Sequence, residues 1–120
     1  MGNLIEKQAL GIDLPIVSGK RPTVLLPDGT KAQTSVCEIA EILCYQNLYF
    51  VTITTKNSIY RNINTSIYTP DDFMNGQSLS IGKSVKTRNG NITTVSKISE
   101  INQDSITIID TSNNILKGKI

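Results

Sequence analysis

The chain offers few side chains that could do chemistry. It has no His, two Cys, ten Asp and Glu, and twelve Lys and Arg. Without His, no side chain sits by default near neutral pH, where a general acid or base works best. Carboxylates would have to take that role. The pairs that could meet are Asp71 with Asp72, Glu38 with Glu41, and Asp104 with Asp110. Asp71 and Asp72 follow Thr69-Pro70, which places them in the electropositive first turn of a short helix. The other two pairs have no spacing that forces their carboxyl groups together, and they read as surface residues. A hydrolase built on two carboxylates is the one enzymatic chemistry the composition leaves open. Gly19-Lys20 and Gly82-Lys83 lack the preceding glycines of a phosphate loop. Cys37 and Cys44 are too few for a disulfide framework, and without His they write no Cys/His zinc site. They read as buried, reduced thiols. The expectation is a non-enzymatic protein with no cofactor and no metal.

The cations are better placed than the acids. Lys86 and Arg88 lie two apart on one short strand and so share a face, with Lys83 just before them. Lys20, Arg21 and Lys31 flank the equivalent turn of an earlier stretch, and Tyr60-Arg61 sets an aromatic ring beside a cation. Tyr45, Tyr49, Tyr60 and Tyr68 are available to stack on bases, although partial burial at strand ends is the plainer reading of them. The net charge is +2, and residues 77–120 carry six basic against three acidic residues. Such a surplus permits contact with nucleic acid without demanding it. The candidate residues for binding nucleic acid or a partner are therefore Lys20, Arg21, Lys31, Tyr60, Arg61, Lys83, Lys86 and Arg88. No helix with exposed basic residues is in view to read a major groove.

Positioning these residues falls to strands. The core must come from aliphatic residues, chiefly Ile, because there is no Trp and aromatics make up 5% of the chain. Ile with abundant Thr suits a pleated sheet better than a helix. Strands are expected over 14–17, 23–26, 48–54, 58–63, 84–88, 92–101, 105–109 and 115–120. Asp28-Gly29 and Asn89-Gly90 are type I′ turn signals. Residues 34–44 have apolar side chains at helical spacing, yet their counterpart at 93–101 is rich in β-branched residues. Both are taken as strands, the first with a bulge near Val36.

The order of residues is written twice. Gly19-Lys20, Asp28-Gly29, Thr34 to Ile39, Phe50 to Ile53 and Thr55 to Tyr60 recur as Gly82-Lys83, Asn89-Gly90, Thr93 to Ile98, Ser105 to Ile108 and Thr111 to Leu116. A repeat unit of about forty residues sits near the lower limit for folding alone, so two should share a core. The expected organisation is an N-terminal arm or short helix over 1–18, capped by Asn3 and Glu6; a first β repeat over 19–68; a short connecting helix over 69–76, with Phe73 and Met74 inward; and a second β repeat over 77–120. No export signal is written in residues 1–16, and no apolar run is long enough to cross a membrane. The chain reads as cytoplasmic.

The pattern of Gly19, Asp28-Gly29, Thr34-Ser35-Val36-Cys37-Glu38-Ile39 and Thr55-Lys56-Asn57-Ser58-Ile59-Tyr60 resembles small β-rich proteins carried by phages and mobile elements of low-GC Gram-positive bacteria. The bias to Ile, Asn and Lys is similar to that of AT-rich genomes. The run from Gly82-Lys83-Ser84-Val85 to Ile98 resembles the basic strand, glycine turn and β-branched strand of SH3-like barrels, many of which bind nucleic acid or peptides. The expected fold is mostly β, with two related small SH3-like barrels or half-barrels in tandem, joined by a short helix. The expected function is a phage or mobile-element protein that inhibits or regulates a protein of its bacterial host by direct contact, of an anti-defence or anti-CRISPR type. The alternatives are a small barrel that binds RNA or single-stranded DNA, and a self-assembling structural or virion-accessory protein that forms a homo-oligomer.

Overall fold

The computed structural model of the chain describes residues 4–46, 48–65, 73, 78–87 and 89–119. These residues form twelve strands, numbered in chain order, and no helix. One sheet runs in the order β1 (Ile5–Lys7), β8 (Ser58–Thr65), β7 (Leu48–Thr55), β6 (Cys37–Tyr45). A second runs β12 (Ile115–Lys119), β11 (Ser105–Asp110), β10 (Ile92–Ile101), β3 (Ile16–Val17), with β9 (Ser84–Lys86) paired to the start of β10. A third, small sheet joins β2 (Gly11–Ile12), β4 (Thr23–Leu25) and β5 (Lys31–Gln33).

Alternation makes the strands, and among the places where it is broken one is common to both halves. Cys37, Ala40 and Ile42 are buried on β6, as are Val95, Ile98 and Ile101 on β10. Two exposed residues, Glu38 and Ile39, separate Cys37 from Ala40, and Ser96 and Lys97 separate Val95 from Ile98. Both are bulges: the pairing steps from Cys37↔Thr55 to Ile39↔Thr54, and from Val95↔Asp110 to Lys97↔Ile109. An extra residue turns the two-residue period of a strand into three, which is why 34–44 carries helical spacing without being a helix. The bulge lies at Glu38, two residues beyond Val36. Its position also corrects the repeat register by one residue: Cys37 corresponds to Val95, and Ser35 to Thr93.

The turns repeat as closely. Gly19 donates its N–H to Cys37 O and Gly82 donates to Val95 O, each at 2.8 Å, with φ of 88° and 89°. The N–H of Gly29 reaches Leu26 O and that of Gly90 reaches Thr87 O, each at 2.9 Å. Leu26 N–H to Thr30 O and Thr87 N–H to Asn91 O close the same loops, each at 2.8 Å. These are three-residue loops with a left-handed glycine in third place, not the expected type I′ turns. Gly29 has positive φ and Asp28 does not, because Pro27 fixes the first loop position at negative φ.

The two halves exchange strands reciprocally. Ile16 of β3, from the first half, pairs with Ile101 of β10 in the second. Leu79, at the matching place before Gly82, pairs with Ile42 of β6 in the first half, through Ile42 N–H to Leu79 O at 2.8 Å and Leu79 N–H to Ile42 O at 2.7 Å. Ile16, Ile42, Leu79 and Ile101 are all buried and belong to one core cluster with Val24, Val51, Ile53, Ile63, Phe73, Val85, Ile106 and Ile108. Burying each such side chain stabilises the fold by about 1.5–3 kcal/mol.

This arrangement corrects three expectations. There is no closed barrel among the described residues, because each half leaves a position on its long strand that the other half fills. The helical form of residues 1–18 is replaced by strand: β1 lies parallel to β8, with Ile5 N–H donating to Asn57 O at 3.2 Å, and Glu6 turns to Arg61 at 3.3 Å. A sheet edge with free hydrogen-bonding groups outweighs a single cap. The connecting helix over 69–76 is not borne out: the described residues hold no helix, and of that stretch only Phe73 is described, where it is buried. Met74 lies outside the described residues.

Candidate functional site

The candidate cations do not converge on one surface. Lys31 holds Asp13, with Nζ at 3.1 and 3.2 Å from the two carboxylate oxygens. Arg61 holds Glu6, and both remain exposed. Lys20 and Lys83 occupy matching positions, where their carbonyls accept from Cys37 N–H and Val95 N–H at 2.8 Å. Their side chains are exposed, as is that of Lys86 opposite Ile92 on β9. Arg88 lies outside the described residues. Tyr60 is 5% exposed and sits in the buried row Ala40–Ile53–Tyr60, so it is a core ring and not a platform for bases.

What the structure does bring together is a cleft in each half. The first, about 350 Å³, is lined by Lys7, Arg21, Gln33, Ser35, Asn57 and Tyr60 among others. Arg21 is held there by Nε donating to Thr34 O at 2.7 Å. Ser35 donates to Thr55 Oγ1 at 2.8 Å and accepts from Asn57 N–H at 3.2 Å. The second cleft, about 310 Å³, is lined by Thr87, Asn91, Ile92, Thr93, Asp110 and Leu116 among others. Asp110 is 3% exposed. It accepts from Ser112 N–H at 2.9 Å, Asn114 N–H at 2.8 Å, the Thr93 hydroxyl at 2.9 Å and Asn114 Nδ2 at 3.2 Å. The backbone N–H of Asn114, above all, holds its carboxyl below the usual value, and the Thr93 hydroxyl adds to this. The carboxylate closes a turn and is spent on structure.

A second feature is apolar and involves none of the candidate cations. The side of the β6–β7 hairpin opposite the core carries Ile39, Leu43 and Tyr45 on β6 and Phe50 and Leu48 on β7, with Leu43↔Phe50 and Tyr45↔Leu48 directly paired. Tyr45 is 67% and Leu48 56% exposed. Ile39 matches Lys97, and the polar pair Glu41–Thr52 that follows it on this face matches Glu100–Thr107, whereas Leu43 and Phe50 fall where the second half has Asn102 and Ser105. Moreover β10 ends at Ile101, the counterpart of Ile42, whereas β6 continues through Leu43, Cys44 and Tyr45. The hairpin tip is thus an apolar extension peculiar to the first half. Its signal in the sequence is Leu43, Tyr45, Leu48 and Phe50 arranged evenly about a two-residue turn.

The thiols differ with their place on β6. Burial pushes Cys37 up to about 11, helped by the neighbouring Glu38 charge, so it stays a thiol and a poor nucleophile. Cys44 is half-buried near the hairpin tip. Among the described residues no cluster of three or more His, Cys, Asp or Glu could hold a metal ion, and no helix is long and apolar enough to cross a membrane. No protein-family model, curated protein or solved structure matches the chain.

Proposed function

We propose that this chain is a non-enzymatic binding protein that occupies a surface of a protein partner through the outer face and tip of the β6–β7 hairpin. The observation that carries the reading is the contrast between the two halves: one sheet presents Ile39, Leu43, Tyr45, Leu48 and Phe50 outward where the other presents charged and polar residues. Leu43, Tyr45, Leu48 and Phe50 are contiguous at the tip, with Glu41 and Thr52 between them and Ile39; apolar surface rimmed by polar residues marks interaction sites, and Tyr is a favoured anchor at them. The setting we propose is the cytoplasm of a low-GC Gram-positive host, with the chain a phage or mobile-element protein that blocks a host protein, as anti-defence proteins do. The Ile-, Asn- and Lys-rich composition supports that setting. The test is retention of host proteins from lysate by the wild-type chain and by Tyr45→Ser combined with Leu48→Ser. A partner held by the wild type should be bound at least tenfold more weakly by the hairpin variant and kept by Lys83→Ala combined with Lys86→Ala. A partner held equally by all three removes the hairpin from the interface.

A second reading, binding of RNA or single-stranded DNA, draws on Lys20 and Lys83, which present a cation at the same place in each half, and on exposed Lys86. Fluorescence anisotropy with a mixed-sequence single strand tests it. If these lysines touch phosphates, Lys83→Ala with Lys86→Ala flattens the slope of log affinity against log salt by about 0.7 for each phosphate no longer neutralised. Absence of binding at low salt, where electrostatic attraction is strongest, removes this reading.

A further inference from the structure

The two clefts occupy the same place in the two halves. Leu26 and Thr87 begin matching loops, Ser35 corresponds to Thr93, Asn57 to Ser112 and Tyr60 to Leu116, and each cleft is lined by its own set. They differ in charge. The second contains the Asp110 carboxylate, already saturated by three donors from its own loop and by Thr93 on the neighbouring strand β10. The matching residue in the first half is Thr55, which pairs with Cys37 as Asp110 pairs with Val95 and carries no charge. The lining of the first cleft includes two cations, Lys7 and Arg21, and no carboxylate.

Its donors are also open to a ligand. Arg21 uses Nε on Thr34 O, which fixes the guanidinium and leaves the two terminal nitrogens of its planar fork for an oxyanion. Lys7 lies beside Tyr60 across the β1–β8 pair. Tyr60 lines this cleft at the place where Leu116 lines the other, so a phenol ring stands where the second half has an aliphatic side chain. Asn57 adds an amide at the rim.

We infer that the first cleft is a binding site for the phosphate group of a small ligand, held by the Arg21 fork, the Lys7 ammonium and the Tyr60 hydroxyl. Two cations match the charge of about −1.5 to −2 on a phosphate monoester, and the volume falls at the small end of the range for small-molecule sites. The source of the phosphate is either a free mononucleotide or the phosphorylated end of a single strand. This site is separate from the hairpin face, so Tyr45→Ser with Leu48→Ser leaves it intact.

Amide chemical shifts of the full chain, titrated with adenosine monophosphate, adenosine, inorganic phosphate and a hexanucleotide with and without a 5′-phosphate, test it. The expected result is saturable shifts at Arg21, Ser35, Asn57 and Tyr60 with every phosphate-bearing probe and none with adenosine. Lys7→Gln and Arg21→Ala should each weaken binding about tenfold or more, and Tyr60→Phe, which keeps the buried ring, about threefold or more. Tighter binding of the phosphorylated hexanucleotide than of the mononucleotide assigns the strand end as the source, and the reverse assigns the free nucleotide; either supports the site. Equal shifts with adenosine, equal shifts around Thr93 and Ser112, or binding unchanged in Lys7→Gln and Tyr60→Phe would overturn it.

Discussion

Gly19 and Gly82 hold the same backbone position, with φ near 88° and the same bond to the long strand. No atom lies within 4 Å of a Cβ added at either, so an alanine there meets only its own backbone. Each of Gly19→Ala and Gly82→Ala should destabilise the fold by about 1–2 kcal/mol, the cost of a left-handed alanine, and chemical denaturation should give equal values for the two. Asp110 adds a pH dependence of known sign. Its carboxyl is held below 3.8, first by Asn114 N–H. The stability it contributes is therefore present above about pH 4 and lost as pH falls through the lower, folded value. Wild type should melt above Asp110→Asn at pH 7, and the gap should narrow by pH 3. Single residues were partly legible in the sequence. The glycines stood out because few other residues adopt positive φ, but Asp110 looked like a surface acid, since nothing local shows that three backbone and side-chain donors from its loop will close on it.

At the scale of elements, the strands were legible where alternation was clean, as in β11, or where β-branched residues dominated, as in β7, and β6 was ambiguous because a bulge interrupted it. Val36, Ile39, Ala40 and Leu43 imitate a helical stripe because Glu38 is the extra residue of a bulge. The second half resolves the ambiguity, since the same bulge there is written in Val95, Ser96, Lys97 and Ile98. The N-terminal strand β1 was not legible: its pairing partner lies far along the chain, at Ser58 to Tyr60, and a local capping pattern carries no word of it. The length of β6 also sets the behaviour of its thiols. Cys37 lies under the bulge at 1% exposure, while Cys44 lies beyond the place where β10 stops. A thiol reagent at pH 8 should label one thiol, Cys44, in the native protein and the second only at the rate of unfolding. Two fast thiols would mean that the bulge opens.

For the molecule as a whole, the sequence showed two related halves and a shared core, and did not show how the halves share it. Residue order alone fits two separate barrels as well as one interlocked pair, because pairing across a repeat leaves no mark on either copy. The mark is in the structure: Ile16 against Ile101 and Leu79 against Ile42. Leu79→Ala and Ile101→Ala should each cost about 2–5 kcal/mol, and either should lower the stability of both halves together. In urea, probes placed in the first and second halves should report one coincident transition in wild type and in both variants. Two separate transitions would show that the halves stand alone.

The interlocking also bears on how the protein is made. A ribosome delivers the chain from its first residue, at about 5–20 residues per second. Ile42 emerges without Leu79, and Ile16 waits longer still, for Ile101. During that interval the first half presents strand edges whose partners have not been synthesised. Any neighbouring copy on the same message that has already released its own Leu79 can supply what is missing. Closely spaced ribosomes therefore favour chains that borrow each other's segments, and widely spaced ribosomes favour pairing within one chain.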